Sequence, residues 1–330
     1  MDQLVMIAEK QDILLRQLRA GDLFESLPDL LRAIRDEVEY EEPTPITPVL
    51  SADEAINRMA WYQENWNKQG DEQSILYVSE EDLRRFLTLL SSTDESVRDS
   101  GTFFFLGSAI QNNHISSETL DWLTRELIHD SRLFSHLFEE ENDGAYYRSY
   151  SMAVLALLLS KNADNTESFI SEALLSDIVQ QLGIYMLVEK DTRGFVEGHG
   201  WIHAYTHLAN VLGQLFEQPA LKRADKLYLL ACLMTNLRSI DTPLTMGEMG
   251  RLVGNVLQLS RRHKIYGDYL LLALKLWRQD LVNTPFKQDR SNWQMLYIRV
   301  DFFQQVLAFG PDASPQDVWN YAQATKNYLS

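Results

Sequence analysis

Apolar residues recur three or four positions apart along almost the whole chain, the spacing that lines one face of an α-helix. No convincing run of alternating apolar and polar residues, the pattern of a half-buried strand, interrupts this periodicity. Helices are predicted over 2–19, 26–39, 51–68, 80–91, 94–112, 116–130, 143–161, 165–187, 199–216, 220–238, 246–260, 265–282, 290–309 and 314–329. The chain is therefore expected to be all-α.

Helices joined by short turns favour antiparallel pairs that stack side by side. The segment 92–106 resembles a HEAT-type repeat helix, because an acidic turn is followed by Val97 and Arg98 and then by an apolar run. No fixed sequence period accompanies this resemblance. We expect an αα-superhelix of paired antiparallel helices, of the HEAT or armadillo type, with an αα-toroid as the alternative.

Three prolines at 43, 45 and 48 interrupt the helical pattern. Proline cannot continue a helix and favours an extended path. This break predicts three parts of the chain. They are an N-terminal helical hairpin at 1–42, a proline-rich linker at 43–50 and a helical-repeat body at 51–330.

The chain is acidic, with 47 acidic and 30 basic side chains in 330 residues and a net charge of −17. An acidic chain repels a phosphate backbone, which argues against nucleic-acid binding. The longest apolar runs fall far short of the roughly 20 residues that a membrane span needs, and the N-terminus lacks the pattern of a signal peptide. The lone Cys232 lies in an apolar run and has no partner for a disulfide within the chain. We expect a cytoplasmic protein that binds neither nucleic acid nor membrane.

The segment 191–210, called the motif segment below, combines glycines, a tryptophan and three histidines, a mixture that core-filling segments rarely need. On the predicted helix 199–216, Trp201 falls on the apolar face. The opposite stripe is polar and consists of His199, His203, His207, Asn210 and Gln214. It is either a solvated face or the wall of a groove, and the absence of any Asp, Glu, Lys or Arg from 199 to 216 favours the groove.

The glycine-rich loop before this helix contains Arg193 and Glu197. A helix N-terminus offers unpaired N–H groups and the positive end of the helix dipole, which together suit an anion. The glycines do not fit a nucleotide-binding fingerprint, because no strand precedes them and no phosphate-loop lysine follows. The predicted ligand-binding residues are Arg193, Glu197, Trp201, His203, His207, Asn210, Glu248 and Arg251. The last two stand three apart, which is also typical of a surface ion pair.

His203 and His207 are four residues apart, a spacing at which one helix offers both rings to a divalent metal. The zinc-protease pattern is absent, because alanine stands where that pattern has its general-base glutamate. A third ligand would come from Glu197, His199 or another helix, for which Glu248 is a candidate. The alternative is that both histidines are structural and bond to neighbouring helices or carbonyls.

The motif Asp-x-Arg-Gly-Phe-Val-Glu-Gly-x-Gly-Trp-x-His-Ala-x-x-His at 191–207 is similar to the signature of the bacterial family of domain of unknown function 2785 (DUF2785). Similar blocks occur at 97–99, 148–151 and 247–251, so the resemblance covers roughly 80–260. It implies an all-helical, repeat-like body and names no activity.

The positions that carry over from the family signature are Arg193, Gly194, Gly198, Gly200, Trp201, His203 and His207. Two positions depart from it. His199 stands where lysine is common, which weakens its role as an essential ligand. Asn210 stands where aspartate is usual, which removes a carboxylate that could bind a metal or orient a histidine.

Two functions follow as hypotheses. The first is a bacterial helical-repeat protein that binds a small polar or anionic ligand, or a partner peptide, in a concave groove. The second is a metal-assisted hydrolase that uses His203 and His207 with a carboxylate from a neighbouring helix. The sequence specifies neither the ligand nor the oligomeric state.

Overall fold

A computed structural model describes residues 3–47, 52–68, 75–283 and 287–325. In chain order its α-helices are α1 (Gln3–Ala20), α2 (Leu27–Asp36), α3 (Ala52–Lys68), α4 (Glu80–Leu89), α5 (Phe104–Gln111), α6 (Ser117–Leu127), α7 (Asp130–Leu133), α8 (Gly144–Asp164), α9 (Glu172–Val188), α10 (Ala204–Glu217), α11 (Arg223–Leu237), α12 (Glu248–Arg262), α13 (Lys264–Asn283), α14 (Arg290–Phe309) and α15 (Gln316–Thr325). The described residues also contain a π-helix at Ser96–Phe103, a 3₁₀ turn at Pro311–Ala313 and a two-stranded hairpin. The all-α prediction is confirmed.

The chain forms two compact units. Unit 1 comprises Met1–Tyr40, Leu175–Thr192 and Leu215–Ser330, and unit 2 comprises Glu41–Leu174 and Arg193–Gln214. Apart from its first two residues, the motif segment belongs to unit 2.

Unit 1 is organised around α11, which packs on α1, α2 and α13. Every residue of α11 from Asp225 to Leu237 is buried, so this helix has no solvated face. α12 and α15 each pack on both α13 and α14. The apolar faces of these helices therefore pack against one another.

Unit 2 is built on α8, which packs on α5, α6 and α7. Its buried face runs almost continuously from Gly144 to Leu159. Aromatic rings also cluster in this unit, where Trp66 stacks on Phe105 at 5.3 Å and on His114 at 4.0 Å. The candidate site lies on this scaffold.

The π-helix continues directly into α5. Asp94 stands before it and accepts the backbone N–H of Ser96 at 2.8 Å. A Cβ atom on Gly101 would lie 2.9 Å from the carbonyl oxygen of Ser96, so this tight turn requires glycine. π-helical turns are rare and frequently occur at functional sites.

The motif segment forms a hairpin before α10, so the prediction of a helix from 199 is wrong for its first five residues. Strands β1 (Phe195–Val196) and β2 (Gly200–Trp201) pair antiparallel. Gly198 and Gly200, with φ of +82° and +76°, supply the left-handed conformations that the turn needs. His203 also has a positive φ, of +58°, and α10 begins at the next residue.

The N-terminal helices α1 and α2 belong to unit 1, where both pack on α11. Residues 42–47 have no regular secondary structure, and the rest of the predicted 43–50 linker lies outside the described residues. The boundaries at 1–42, 43–50 and 51–330 stay a prediction.

Candidate functional site

Arg98, on the π-helix, fastens the hairpin of the motif segment inside unit 2. It is completely buried. Its guanidinium donates hydrogen bonds to the backbone carbonyl oxygens of Ser92 at 2.7 Å, His199 at 2.8 Å and Trp201 at 3.3 Å. This side chain thus joins the hairpin to the loop before the π-helix, and Nδ1 of His199 also lies 3.3 Å from the carbonyl oxygen of Thr93 in that loop.

Two aromatic rings lie against the buried guanidinium of Arg98. The guanidinium carbon lies 4.1 Å from the ring centre of Tyr146 and 5.0 Å from that of Tyr150. No carboxylate of the described residues lies within ion-pairing distance, so the carbonyl dipoles and the rings compensate this charge. Burial raises the pKa of Tyr150 to about 12, and its hydroxyl therefore stays neutral at physiological pH.

His207 is a buried member of α10 that bonds α8. Its Nδ1 lies 3.0 Å from the carbonyl oxygen of Ser149 and 2.8 Å from the Ser149 hydroxyl. A carbonyl oxygen only accepts, so Nδ1 carries the proton. The Ser149 hydroxyl in turn donates to the carbonyl oxygen of Ile202, which ties α8 to the end of the hairpin.

His203 lies outside α10, at the junction between the hairpin and the helix. Its ring stacks on Trp201, with ring centres 4.1 Å apart and planes 5° apart. The rings of His203 and His207 are 5.9 Å apart and steeply inclined. The backbone N–H of His207 nevertheless donates to the carbonyl oxygen of His203 at 2.9 Å, which is the bond that a helix forms between residues four apart.

Metal binding through these histidines stays a prediction. The Nδ1 proton of His207 points to a carbonyl oxygen, so a metal could use only Nε2. In the described part of the chain, no group of three or more His, Cys, Asp and Glu side chains is placed to hold a metal ion.

A cavity of about 820 Å³ opens in unit 2 beside Arg193. Its wall is formed by 43–47, Ala52, 91–94, Val97, 141–143 and Arg193. We call it the polar pocket, because hydroxyl, amide and charged side chains make up most of this wall. Its size is in the range of small-molecule sites.

Arg193 connects the motif segment to residues 139–143, called the acidic loop below. Residues 141–143 of this loop line the polar pocket. Its Nη2 donates to the carbonyl oxygen of Asn142 at 2.9 Å. Its Nη1 lies 3.3 Å from a carboxylate oxygen of Asp143 and 3.6 Å from one of Glu141. The guanidinium is therefore a fixed part of the wall.

Thr44 attaches residues 41–47 to the same loop. Its backbone N–H and its hydroxyl donate to the two carboxylate oxygens of Glu139, at 2.8 Å and 2.7 Å. Its carbonyl oxygen accepts from the side chain of Asn142 at 2.9 Å. His136 completes the network, with Nδ1 2.8 Å from Glu139 and 3.1 Å from the Thr44 hydroxyl.

This network keeps Glu139 ionised. Burial by itself would raise the pKa of Glu139, but the hydrogen bonds from Thr44 and His136 outweigh it and hold the pKa below its ordinary value. In the wall of the pocket, the hydroxyl and N–H of Ser96 lower the pKa of Asp94. Both carboxylates carry negative charge at neutral pH.

Of the eight predicted site residues, only Arg193 lines the polar pocket. Glu197, at the hairpin turn, and Asn210, on α10, are exposed. Trp201, His203 and His207 belong to the packing that joins the hairpin, α8 and α10.

The other two predicted residues, Glu248 and Arg251, belong to unit 1. The buried carboxylate of Glu248 accepts the backbone N–H of Met246 at 2.7 Å, at the start of α12. Arg251 is exposed. The expected ion pair between them is absent from the described residues.

Sequence reasoning missed Thr44, Asn142 and Arg98 as parts of the site. The prolines around Thr44 suggested only a linker, and no residue of the acidic run at 139–143 was among the predicted site residues. The sequence did give one indication for Arg98, because it lies in the block at 97–99 that is similar to the DUF2785 family. The spacing of the apolar residues around it, however, did not indicate that its side chain is buried. Long-range packing brings these segments together.

Within the described residues, no helix combines the length and apolar character that crossing a membrane would require. Neither the comparison with curated proteins nor that with solved structures gives a match. A family model described as "Protein of unknown function (DUF2785)" matches residues 133–309, more than half of the chain. This range includes the acidic loop, Arg193 and the histidines, in agreement with the resemblance carried by the motif segment. The chain therefore belongs to the DUF2785 family.

Proposed function

We propose that the protein is a binding protein whose polar pocket in unit 2 holds a small polar ligand. The observation that carries this proposal is a cavity of about 820 Å³ whose wall includes the motif residue Arg193. Arg193 is held by Asn142 and Asp143, so a ligand would meet a preformed surface. Preformed pockets of this size with a few fixed polar groups are typical of small-molecule sites.

The charges of the wall favour a cationic ligand. Three carboxylates, those of Asp94, Glu141 and Asp143, face one guanidinium, that of Arg193. Arg193 is already paired with two of these carboxylates, so its charge is largely compensated. The excess negative potential attracts a cation and opposes the anion that the sequence suggested.

Hydroxyl groups support a ligand that also forms neutral hydrogen bonds. Ser91, Ser92, Thr93 and Thr47 lie in the wall. A hydroxyl both donates and accepts, so it fits an amine or an alcohol equally well. The ligand class is therefore a small amine with further polar groups.

The test uses spermidine as the probe, with citrate as the anionic counterpart, in isothermal titration calorimetry at low salt. We expect saturable binding of spermidine and none of citrate. Glu141→Lys reverses a charge in the wall, and we expect it to weaken spermidine binding by about tenfold, or about 1.4 kcal/mol. Glu141 is exposed, so this change is expected to leave the fold intact.

Glu140→Lys is the matched control, because it makes the same charge change one residue away at a side chain that does not line the pocket. It is expected to weaken spermidine binding much less. If both variants weakened spermidine binding equally, binding would depend on the net charge of the protein and not on the wall of the pocket. Citrate binding in place of spermidine would overturn the cationic assignment.

The finer arrangement of the helices is part of the same proposal. Consecutive helices pack on one another, as α3 does on α4 and α12 on α13, which supports an αα-superhelix of HEAT or armadillo type. The αα-toroid remains the alternative. A cytoplasmic location in a bacterium, a partner peptide and the hydrolase hypothesis stay predictions.

A further inference from the structure

A row of aromatic rings in unit 2 extends from the hairpin of the motif segment to the start of α5. Each ring centre lies between 4.1 and 6.5 Å from that of the next ring along the row. In spatial order its members, called the aromatic row below, are Phe195, Trp201, His203, His207, Phe103 and Phe104. None of these side chains lines the polar pocket, so the row is a separate feature of the unit.

Both ends of the aromatic row are open to solvent. Phe104 is 63 % exposed at one end, and Phe195 is 47 % exposed at the other. Between them, Trp201, His203 and Phe103 are half-buried. Single exposed apolar residues are common on proteins, but a contiguous exposed apolar surface marks an interaction site. A surface that is open at both ends suits an extended chain better than an enclosed small molecule.

Two carboxylates lie along the π-helical side of the aromatic row. A Cβ atom on Gly200 would stand 2.6 Å from a carboxylate oxygen of Glu95, so this carboxylate lies against strand β2. Asp99 is a hydrogen-bond partner of the Tyr150 hydroxyl, and the Tyr150 ring lies 5.8 Å from that of Phe103. The negative charge is therefore adjacent to the rings.

A third carboxylate, that of Glu197, lies at the hairpin end of the row. It is exposed in the turn, two residues after Phe195. None of the three carboxylates forms an ion pair with a described residue. The segments 95–104 and 194–203 contain a single Lys or Arg, Arg98, whose buried guanidinium donates to backbone carbonyl oxygens. The surface along the row is thus net negative.

We infer that the aromatic row is a docking surface for an arginine-containing segment of a partner protein. A guanidinium is planar and stacks on an aromatic face, and it also pairs with a carboxylate through two hydrogen bonds. The row offers exposed rings beside carboxylates that lack an ion pair, which is the complement of such a side chain. A nucleic acid would meet the same negative charge and be repelled.

The test measures fluorescence anisotropy of a short labelled peptide in which arginine and glycine alternate. We expect saturable binding to the wild type, and weaker binding of the same peptide with lysine in place of arginine, because an ammonium has no planar face to stack. Phe104→Ala removes one exposed ring, and we expect it to weaken binding of the arginine peptide about threefold or more.

Tyr297→Ala is the matched control for the ring. Tyr297 is also helical and is 62 % exposed, but it lies on α14 in unit 1, so its loss is expected to leave the affinity unchanged. Glu95→Gln removes a carboxylate of the row and is expected to weaken binding. Glu118→Gln makes the same change at an exposed position on α6 of unit 2 and is expected to have no effect.

Three outcomes would overturn the inference. The first is equal affinity of the wild type and Phe104→Ala, or of the arginine and lysine peptides. The second is tighter binding of a single-stranded oligonucleotide than of the arginine peptide. The third is self-association of the protein, seen by sedimentation without peptide and lost in Phe104→Ala, which would identify a second copy as the occupant. Phe104→Ala is expected to leave spermidine binding unchanged, so this inference and the proposed function can fail separately.

Discussion

At the scale of single residues, Arg98 links two distant segments of unit 2. It brings a charge into the interior and uses it to hold backbone groups of two distant segments, the loop at Ser92 and the hairpin at His199. The position of the motif segment therefore depends on a residue that lies about a hundred positions earlier in the chain.

Arg98→Met is expected to destabilise the fold by about 3–5 kcal/mol, because buried carbonyl oxygens lose charge-assisted hydrogen bonds. Urea unfolding followed by circular dichroism measures this loss. Arg85→Met is the control: its exposed ion pair with Glu81 on α4 is expected to contribute nothing measurable. A similar midpoint for the two variants would contradict the structural role of Arg98.

Two histidines of the motif segment have different structural roles. His207 serves as a buried hydrogen-bonding group, and His203 as a ring stacked on Trp201. Both roles account for polar rings in the stretch 199–216, which contains no Asp, Glu, Lys or Arg. His203 and His207 thus take part in internal packing, whereas His199 and Asn210 of the same stripe are exposed.

At the scale of elements, the π-helix and α5 form one continuous helix with two glycines in different surroundings. Gly101 lies in the π-helical turn, where a Cβ would meet the Ser96 carbonyl oxygen at 2.9 Å. Gly107 lies in α5, where a Cβ would meet only a methyl group of Leu157 at 3.4 Å. The same substitution should therefore have opposite effects.

Gly101→Ala is expected to destabilise the fold by about 1–3 kcal/mol, because the backbone carbonyl cannot move aside without breaking the turn. Gly107→Ala is expected to stabilise it by about 0.5–1 kcal/mol, because alanine loses less conformational entropy in a helix. Thermal unfolding of both variants beside the wild type measures the difference. A Gly101→Ala variant at least as stable as the wild type would show that the π-helical turn does not require glycine.

At the scale of the whole molecule, the buried titratable groups predict how stability depends on pH. Burial lowers the pKa of His114 below its ordinary value of 6.5, so the fold favours the neutral ring stacked on Trp66. Burial opposes the ionised form of Asp82, but hydrogen bonds from Tyr62, Ser79 and Arg58 hold its pKa below 3.8. Both groups are stabilising at neutral pH.

The free energy of unfolding is therefore expected to fall with acid in two windows. The contribution of His114 is complete above pH 6.5 and is lost as the pH falls through its lower folded pKa. That of Asp82 is complete above pH 3.8 and is lost at still lower pH. Urea midpoints between pH 8 and pH 3 measure the curve, and His114→Phe is expected to remove the first decline. A wild-type curve that rises with acid would contradict both assignments.

Local periodicity determined most of the secondary structure. The spacing of apolar residues placed the helices, because a helix buries one face whatever it packs against. It failed at 199–203, where Gly200 and His203, like Gly198 just before them, have positive φ angles and form a hairpin end, because a glycine-rich stretch is compatible with several conformations. The family resemblance at 191–207 also came from the sequence, and the family match confirmed it.

Tertiary structure decided the composition of the candidate site. Arg193 was predicted from its loop, but its neighbours Thr44, Asp94 and Asn142 come from segments 50 to 150 residues away. No local pattern encodes such proximity, because it follows from how α8, the π-helix and the hairpin pack. The sequence alone determined an acidic, all-α member of the DUF2785 family with a concentrated motif. Only the tertiary structure showed that most of that motif is packed inside the protein and that the wall of the cavity has a net negative charge. The reason is that packing determines which polar groups contact one another and which remain open to a ligand.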